Sequence, residues 1–326
     1  MRRRTRYSLM LVLALLCQWS GTPERPMLGR VPDLTATPVM LDPADPKHVK
    51  VGALTFIGGV DLTSHDLAFG GYSSMTIDHG LFTLLSDGGT IVRFRLDERF
   101  RLSARAFGDL PVGPGNGWRK EERDSESMTR DPSSGQVWVG YEGYNQIWRY
   151  SPGLTLPAQM VAPRPMADWS VNGGAESMVR LHDGRFLVIA ETNRRLPSQA
   201  RSALIFDRDP TVKPLKGFEF GYLPPDGYDP SDATELPDGR VLILNRRLDL
   251  PFRWSAVLTL IDPRHIRPGV TIRGREIARL APPLTVDNFE GLAITRENGA
   301  TIVWMVSDDN LLILQRTLLM KFRLDL

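Results

Sequence analysis

Acidic side chains recur at two matching places of a motif that the chain repeats five times. One place is the start of the motif, and the other is the end of the apolar run that follows it. The acids at the first place are Asp124, Glu126, Glu176, Asp232, Asp287 and Glu290, and those at the second are Asp87, Glu142, Glu191, Asp308 and Asp309. Carboxylates that are forced together repel one another unless a cation or hydrogen bonds compensate them.

These carboxylates predict a binding site for a hard cation. Oxygen ligands without histidine or thiol favour Ca²⁺ or Mg²⁺, and Ca²⁺ is the cofactor that we expect. The expected ligands are Glu126, Glu176, Glu290, Asp308 and Asp309. In the alternative interpretation, each acid caps a turn or accepts hydrogen bonds from backbone amides of its own repeat.

Arginines follow the apolar run in three of the repeats and could bind an anion beside the cation. They are Arg194, Arg195, Arg246 and Arg316. A guanidinium presents a planar fork that matches phosphate or carboxylate, so we expect a small phosphorylated or ester substrate held by metal and arginine. The alternative is that these arginines are solvated loop charges paired with nearby acids.

Familiar catalytic motifs do not accompany these charges. The chain has no G-x-S-x-G nucleophile elbow and no H-E-x-x-H motif, so a serine-hydrolase nucleophile and that type of zinc site are unsupported. His182 lies in a predicted hairpin turn, and this position favours a turn role over a catalytic one. The sequence therefore leaves the catalytic residues unknown.

The elements that must position these side chains are strands. The five copies of the motif begin at Ser73, Glu126, Glu176, Ala233 and Glu290. Repeats at intervals of about 50–57 residues are typical of radial or solenoid folds, and Asp-Gly or Asn-Gly between apolar runs predicts hairpins. With four strands per repeat, we predict an all-β fold, a β-propeller of four-stranded antiparallel blades. Five blades are visible, and a sixth is allowed if one repeat has lost its motif.

The two ends of the predicted propeller complement each other. The last repeat ends with residues 317–326 and lacks an outer strand. Residues 51–57 form an apolar segment that could supply this strand. Such a closure would remove an open sheet edge.

The N-terminus predicts export to the periplasm or secretion. Four arginines precede the apolar run 9–16, which is too short to span a bilayer. We therefore predict a signal peptide at 1–22, a linker at 23–47 and one β-propeller domain at 48–326, with no transmembrane segment after signal removal. The net charge is +2 at pH 7 and falls to about −2 without those arginines, so nothing indicates nucleic-acid binding.

Three C-terminal segments resemble a known family. Residues 287–293 (DNFEGLA), 304–310 (WMVSDDN) and 315–319 (QRTLL) closely resemble the C-terminal signature of the phytase-like domain family, whose members are often called esterase-like activity of phytase proteins. Residues 124–128 and 174–178 are similar to its repeated motifs. The resemblance implies an exported bacterial protein with a propeller-like fold and a phosphoester or ester hydrolase activity. The first repeat departs from the pattern, because Ser73 and Ser74 stand where later repeats have Glu-Ser.

Two hypotheses for function follow from these observations. The first is an exported, metal-dependent phosphoester hydrolase built on a propeller. The second is a non-catalytic periplasmic propeller that binds a ligand or acts as a scaffold, because a propeller does not imply chemistry.

Overall fold

The computed structural model of the protein describes residues 25–195 and 198–326. The predicted signal peptide lies outside these residues. Within them, the helical elements are short 3₁₀ turns: Lys120–Glu122, Pro152–Leu154, Arg164–Met166 and Pro263–His265. No helix among the described residues is long and apolar enough to cross a membrane.

Strands form five sheets, which are the blades of a propeller. Three strands precede the first blade: β1 (Thr35–Pro38), β2 (Lys50–Val51) and β3 (Leu54–Thr63). Blade 1 contains β4 (Tyr72–Asp78), β5 (Leu81–Ser86), β6 (Thr90–Leu96) and β7 (Leu102–Asp109). Blade 2 contains β8 (Ser125–Arg130), β9 (Val137–Tyr141), β10 (Gln146–Tyr150) and β11 (Pro157–Val161).

Two of the remaining three blades, blades 3 and 5, carry additions to the four-stranded plan. Blade 3 contains β12 (Ser177–Arg180), β13 (Phe186–Arg194), β14 (Arg201–Phe206) and β15 (Gly217–Leu223), with β19 (Thr271–Arg273) parallel to β15. Blade 4 contains β16 (Asp229–Glu235), β17 (Val241–Asp249), β18 (Arg253–Ile261) and β20 (Arg275–Leu280). Blade 5 contains β21 (Asn288–Glu297), β22 (Ala300–Asp308), β23 (Thr317–Leu324) and the early strand β3. The prediction of an all-β propeller with five antiparallel four-stranded blades is confirmed.

The ring closes where the two ends of the domain meet. Strand β23 pairs antiparallel with β3, so that Thr317 lies opposite Leu62 and Leu324 opposite Leu54. The outer strand therefore begins three residues later than the predicted segment 51–57 and extends beyond it. The reason is local, because Gly52, with a φ of 57°, turns the chain between β2 and β3.

The predicted linker contributes to the propeller. Strand β1 pairs with β3 at the outer edge of blade 5. Further upstream, Arg25 is buried and its Nη2 donates to Asp109 Oδ2 at 2.7 Å. Part of residues 23–47 is therefore packed onto the blades, because the edge of β3 offers unpaired backbone groups to β1.

Turn chemistry explains the hairpins that join the first two strands of each blade. At His79-Gly80 and Asn298-Gly299 both residues have positive φ, as a two-residue type I′ hairpin requires. Each turn lies at the end of the propeller opposite to the starts of the innermost strands. The innermost strands β4, β8, β12, β16 and β21 lie side by side around the axis, so their first residues all face one end of the channel.

The hydrophobic core lies between neighbouring blades. Between blades 5 and 1, Trp304 packs edge-on against Phe82 with ring centroids 4.8 Å apart, and Phe82 stacks on Phe94 at 5.2 Å. Such aromatic pairs contribute about 1 kcal/mol each beyond their area burial. Because this packing repeats from blade to blade, the strand ends at the channel are held in place.

Candidate functional site

Two rings of equivalent residues lie at the end of the channel where the innermost strands start. The inner ring consists of four residues that are left out of the pairing near the start of their innermost strands, together with Glu176, which directly precedes β12; the four are Ser73, Glu126, Ser231 and Glu290. The strand-end ring consists of the residues at the matching point of each second strand: Asp87, Glu142, Glu191, Arg246 and Asp308. We call this part of the molecule the acidic end.

A β-bulge places the inner-ring residues at the channel. In β4, β8, β16 and β21 the pairing register shifts by one residue at this point, and a bulged residue is left out of the ladder. Glu126, Glu176 and Glu290 are 8%, 4% and 5% exposed. The three glutamates expected as ligands therefore lie buried at the same end of one channel.

The fourth repeat has a different register from the one its sequence indicated. Asp232 pairs opposite Leu244 as Ser127 pairs opposite Gly140 in blade 2. The motif in blade 4 therefore begins at Ser231, two residues before Ala233. The alignment by residue type was wrong because blade 4 has Ser231 at the place where blades 2, 3 and 5 have a glutamate.

Three carboxylates converge in blade 2. Oxygen atoms of Asp124, Glu126 and Glu142 lie within 4.8 Å of one another. Burial, followed by the charges of Asp124 and Glu142, raises the pKa of Glu126 well above its usual value. Burial also raises the pKa of Asp124 to about 6, against the opposing influence of Lys120, and that of Glu142 to about 7.

This cluster, the blade-2 carboxylates, fits a hard divalent cation. Glu142 Oε1 accepts hydrogen bonds from the amides of Gly173 and Gly174, the latter at 2.8 Å, which leaves Oε2 for another partner. Ca²⁺ takes six to eight oxygen ligands at about 2.3–2.6 Å. Three carboxylates would supply part of this shell and leave positions for water and substrate. Buried, mutually repelling acids with raised pKa values are the groups that a cation would relieve.

A lysine stands at the rim of the cluster. Nζ of Lys120 lies 2.5 Å from Oδ2 of Asp87. Burial would lower the pKa of Lys120, but the attraction of Asp87 outweighs it and raises that pKa above its usual value. Lys120 is therefore a permanent cation between blades 1 and 2, about half exposed to solvent.

An arginine compensates the acids on the opposite side of the channel. Nη1 of Arg246 lies 2.7 Å from Glu290 Oε1 and donates to Asn288 Oδ1 at 2.8 Å, while Nη2 donates to Glu191 Oε1 at 2.8 Å. Burial raises the pKa of Glu290 to about 7 although Arg246 opposes the shift. The carboxylates that have no arginine partner are thus concentrated on the side of blade 2.

Asp308 and Asp309 have different surroundings. Asp308 Oδ1 accepts a hydrogen bond from the Asn310 amide at 2.6 Å, and burial, then Glu290 and Asp87, raises the pKa of Asp308 well above its usual value. Asp309 accepts from the amides of Gly71 and Leu311 at 2.9 and 3.0 Å and from Thr317 Oγ1 at 3.0 Å. These bonds favour the alternative interpretation for Asp309, in which the acid organises backbone, and its role as a ligand stays a prediction.

The four predicted anion-binding arginines do not form one cluster of free charges. Arg246 is engaged with acids in the channel, whereas Arg194 and Arg195 lie on the β13–β14 hairpin, where Arg194 pairs opposite Arg201. Arg316 is partly exposed, with its Nε 3.7 Å from Asp287 Oδ2. Phosphate binding by these arginines stays a prediction, and Arg316 is the member best placed for it.

Sequence reasoning recognised Asp124 and Glu142 as recurring acids but did not include them among the ligands, and it did not assign Lys120. Asp124 and Glu142 were visible as acids at repeat positions, whereas Lys120 lies in a 3₁₀ turn before β8. The sequence could not show that Asp124 and Glu142 converge, because this depends on the exact register of β8 and β9. In that register the Glu142 backbone amide donates to the Asp124 carbonyl at 2.8 Å.

His182 belongs to the other end of the channel. Its Nδ1 contacts a carboxylate oxygen of Glu235, and both residues line a cavity of about 340 Å³. That cavity is formed by the later halves of the innermost strands. His182 therefore lies away from the acidic end, as its place in a hairpin turn indicated.

Comparisons with known proteins agree with this fold. The family model described as "Esterase-like activity of phytase" matches residues 67–311. No curated protein matches the chain.

Several solved structures are similar to this chain. One is hydrazine synthase of Kuenenia stuttgartiensis, with 11% sequence identity and a TM-score of 0.38; the match covers 74% of this chain and 57% of the hydrazine synthase chain. The β-propeller domain of Cps50 (Swd1) of Myceliophteria thermophila matches at 12% identity and a TM-score of 0.35, covering 73% and 65%. A nidogen/laminin complex matches at 10% identity and a TM-score of 0.38, covering 80% and 90%. The chain thus spans less than two thirds of the first two structures, and similarity at this level carries no functional conclusion.

Proposed function

The chain belongs to the family described as esterase-like activity of phytase, and from this premise we propose that it is a metal-dependent phosphoester hydrolase whose site is the acidic end. The observation that carries the proposal is the convergence of Asp124, Glu126 and Glu142 within 4.8 Å. Such a group of buried oxygen donors suits Ca²⁺. The identity of the ion, the catalysis and the substrate are parts of the proposal.

The blade-2 carboxylates would hold the cation. When bound, Ca²⁺ would polarise a phosphoryl oxygen and make water a better nucleophile. Lys120 Nζ, on the rim beside Asp87, would attract the phosphate and orient it by charge. Arg316 would bind a further phosphate oxygen through its guanidinium.

Glu176 is the candidate proton donor to the leaving oxygen. It is buried in the inner ring, and burial followed by the charges of Glu191 and Glu126 raises its pKa well above the usual value. A carboxyl group that stays protonated near pH 7 can act as a general acid. Glu176 lies outside the blade-2 carboxylates, so this role is separable from cation binding.

A chelator experiment tests the proposal. Purified protein would be assayed against a panel of phosphate monoesters and carboxylic esters, with calcium and with excess EGTA. We expect hydrolysis of phosphoesters that disappears with EGTA and returns when calcium is restored. Calcium binding without turnover of any ester would instead establish a non-catalytic ligand-binding propeller.

That second function has one specific observation in its favour. Asp309, and one oxygen of Glu142, are engaged with backbone amides, as acids that only stabilise a channel would be. The assay above separates the two functions, because a binding propeller would retain calcium affinity and show no turnover.

We also propose that the protein is exported, with residues 1–22 as the signal peptide and residues from 48 onward as the phytase-like domain. The support is the run of arginines before a short apolar segment. N-terminal sequencing of protein from the native host would show a mature chain that starts between about residues 18 and 27. An uncleaved N-terminus on cytoplasmic protein would overturn this part of the proposal.

A further inference from the structure

Exposed apolar side chains are gathered at the acidic end. The eight most exposed large apolar side chains among the described residues are between 66% and 93% exposed. Seven of these eight lie before an innermost strand, after a second strand or before β1, and all three kinds of segment belong to the acidic end. We call these seven the apolar tips: Val31, Leu67, Trp118, Val171, Leu250, Ile313 and Leu314. The exception is Leu156, which lies between β10 and β11 at the opposite end.

The apolar tips surround the mouth of the channel. They lie on the segment before β1, on the loops before β4, β8 and β12, and on the β17–β18 and β22–β23 hairpins. The segment before β1 joins this group because Thr35, at the start of β1, lies opposite Thr63, where β3 ends before the loop to β4. Single exposed apolar residues are normal on a protein surface. Their concentration at one end of the molecule indicates an interaction surface on that side.

The loop before β4 holds its apolar residue outward. Asp66 Oδ1 accepts a hydrogen bond from the Ala68 amide, and the Asp66 carbonyl accepts one from the Phe69 amide, each at 3.0 Å. Leu67 therefore lies at the top of a closed turn. An ordered turn that exposes a leucine to water keeps it ready to be buried by a partner, at little further cost in backbone entropy.

The β22–β23 hairpin presents two apolar residues in the same way. The Leu312 amide donates to the Asp309 carbonyl at 2.8 Å, and the Gln315 amide donates to the Leu312 carbonyl at 3.0 Å. These bonds leave Ile313 and Leu314 at the bend, where both side chains are exposed. Two separate loops thus show the same arrangement, in which hydrogen-bonded backbone supports an exposed apolar tip.

Exposed charges of both signs lie beside the tips. Arg30 directly precedes Val31, and Arg119 directly follows Trp118. The exposed basic residues nearest to the tips are Arg30, Arg119, Arg253 and Arg316. The exposed acids in or beside the same segments include Glu121, Asp168 and Asp249. An arginine can lay its aliphatic stem along apolar material while its guanidinium binds phosphate.

A phospholipid surface fits this rim better than a folded protein does. An acyl layer is fluid and accepts separate apolar side chains from many loops, whereas a protein interface has one close-packed apolar core. Lipid phosphates lie just above the acyl layer, at the level of the arginines that flank the tips. Trp118 is of the residue type that is enriched at membrane–water interfaces. Charges of both signs on the rim complement a zwitterionic headgroup, which carries a phosphate and an ammonium.

We propose that the acidic end docks on a zwitterionic phospholipid surface, with the apolar tips inserted below the headgroups and the neighbouring arginines against the lipid phosphates. The mouth of the channel then faces the headgroup layer. The inference goes beyond the proposed function, because docking requires no bond to be broken. Docking and hydrolysis can therefore fail independently of each other.

The test measures how the purified protein partitions onto phosphatidylcholine vesicles. Protein and vesicles are mixed and separated by flotation, and the bound fraction is followed as the lipid concentration rises. One variant is Leu67→Ser, and the other combines Ile313→Ser with Leu314→Ser, so that two separate loops are altered. The matched control is Leu156→Ser, which removes an exposed leucine at the opposite end. Melting temperatures check that each variant is folded.

We expect wild-type protein to float with the vesicles. Each tip variant should lose about 10-fold or more in its partition coefficient, because a serine gains little from the acyl layer that a leucine enters. Leu156→Ser should partition as wild type does. Binding should change by less than about 3-fold between about 0.1 and 0.5 M salt, because salt does not screen apolar insertion.

Failure of the wild-type protein to bind these vesicles would overturn the inference. Unchanged binding in both tip variants, or an equal loss in Leu156→Ser, would also overturn it. Binding that is confined to anionic phosphatidylglycerol vesicles and is abolished by salt would show charge attraction and reject insertion of the tips. A dimer that both tip variants dissociate, without vesicle binding, would assign the tips to a protein interface instead. Vesicle binding without turnover of any ester would retain the docking and reject the proposed catalysis.

Discussion

The guanidinium of Arg246 lies 2.7 Å from the buried Glu290 carboxylate at the acidic end, and the arginine side chain is itself only 18% exposed. Arg246 occupies the place in blade 4 that an acid occupies in the other four blades. The protein thus carries its own cation on one side of the channel. The opposite side, with Asp124, Glu126 and Glu142, has no guanidinium in contact among the described residues, and this is the side where we propose that an external cation binds.

Arg246→Met should destabilise the protein by about 3–5 kcal/mol at pH 7.5, because it leaves the buried Glu290 and the partly buried Glu191 without their partner. The free energy of unfolding would be measured by chemical denaturation without added calcium. Arg246→Met combined with Glu290→Gln should recover part of the loss, because one of the unpaired charges is then removed.

The control for this prediction is the adjacent Arg247→Met. Arg247 is partly exposed and pairs with the exposed Asp249 at 2.6 Å, so its loss should cost less than about 1 kcal/mol. Equal effects of the two substitutions would show that Arg246 does not act as the internal cation of the channel.

Glu126→Gln and Glu176→Gln should separate cation binding from proton transfer. Glu126→Gln removes a charged ligand from the blade-2 carboxylates and should weaken calcium binding at least about 10-fold by calorimetry. Without calcium it should not lower the melting temperature, because a repelling carboxylate is gone. Glu176→Gln should keep calcium affinity near that of wild type and lower kcat by about 100-fold or more.

The opposite pattern would reassign the two residues. If Glu176→Gln abolished calcium binding while Glu126→Gln did not, the ligands would lie on the side of blade 3. Similar loss of calcium binding in both variants would indicate one ion shared across the inner ring, as the sequence had suggested.

Stability of the calcium-free protein should fall as pH rises from about 4 to 7. The usual pKa values of Asp and Glu are 3.8 and 4.5, whereas those of Asp124, Glu142 and Glu290 are raised to about 6, 7 and 7. The folded protein therefore binds more protons than the unfolded chain in this interval, and each proton lost disfavours folding. The melting temperature measured by calorimetry should drop by about 5 °C or more between pH 5 and 8.

Calcium should reverse this trend. Because protons and the cation compete for the same carboxylates, saturating calcium should raise the melting temperature at pH 8 by about 5 °C and change it little at pH 5. A calcium effect that is independent of pH would place the ion elsewhere.

Arg316→Ala should weaken binding of phosphorylated ligands by about 10-fold while leaving the fold intact. Its side chain is partly exposed, and the segment is also held by the Arg316 backbone amide, which donates to Asp287 Oδ2 at 3.1 Å. The alanine variant keeps this amide, so the melting temperature should change by less than about 2 °C. A large thermal loss without a selective loss of phosphate binding would mean that Arg316 only secures its loop.

Much of the architecture could be predicted from the sequence because it rests on local rules. Asp-Gly, Asn-Gly and His-Gly turns between apolar runs predicted the hairpins, and the spacing of the motif showed five blades while leaving a sixth open. The missing outer strand of blade 5 pointed to the segment near Leu54 as its completion. These features depend on residues close in sequence, or on a repeat that is visible by inspection.

The placement of the acids at one end of the channel also followed from the sequence. Glu126, Glu176 and Glu290 occupy equivalent places in three repeats, and equivalent places in a propeller surround the axis. Tertiary structure decided which acids meet and which are neutralised. The fourth motif begins at Ser231, two residues before the position that residue types indicated, and Arg246 lies against Glu191 and Glu290.

The physical reason is one of scale. Hydrophobic periodicity and turn residues specify strands and their order, and they act over a few residues along the chain. Charge compensation and metal coordination depend on distances of about 2–5 Å between side chains from different strands and blades. The sequence alone thus determined a ring of carboxylates around an axis. Only the packing of the blades decided that Arg246 neutralises the carboxylates on one side of that ring. The same packing brings Asp124, Glu126 and Glu142 together as a cluster on the other side.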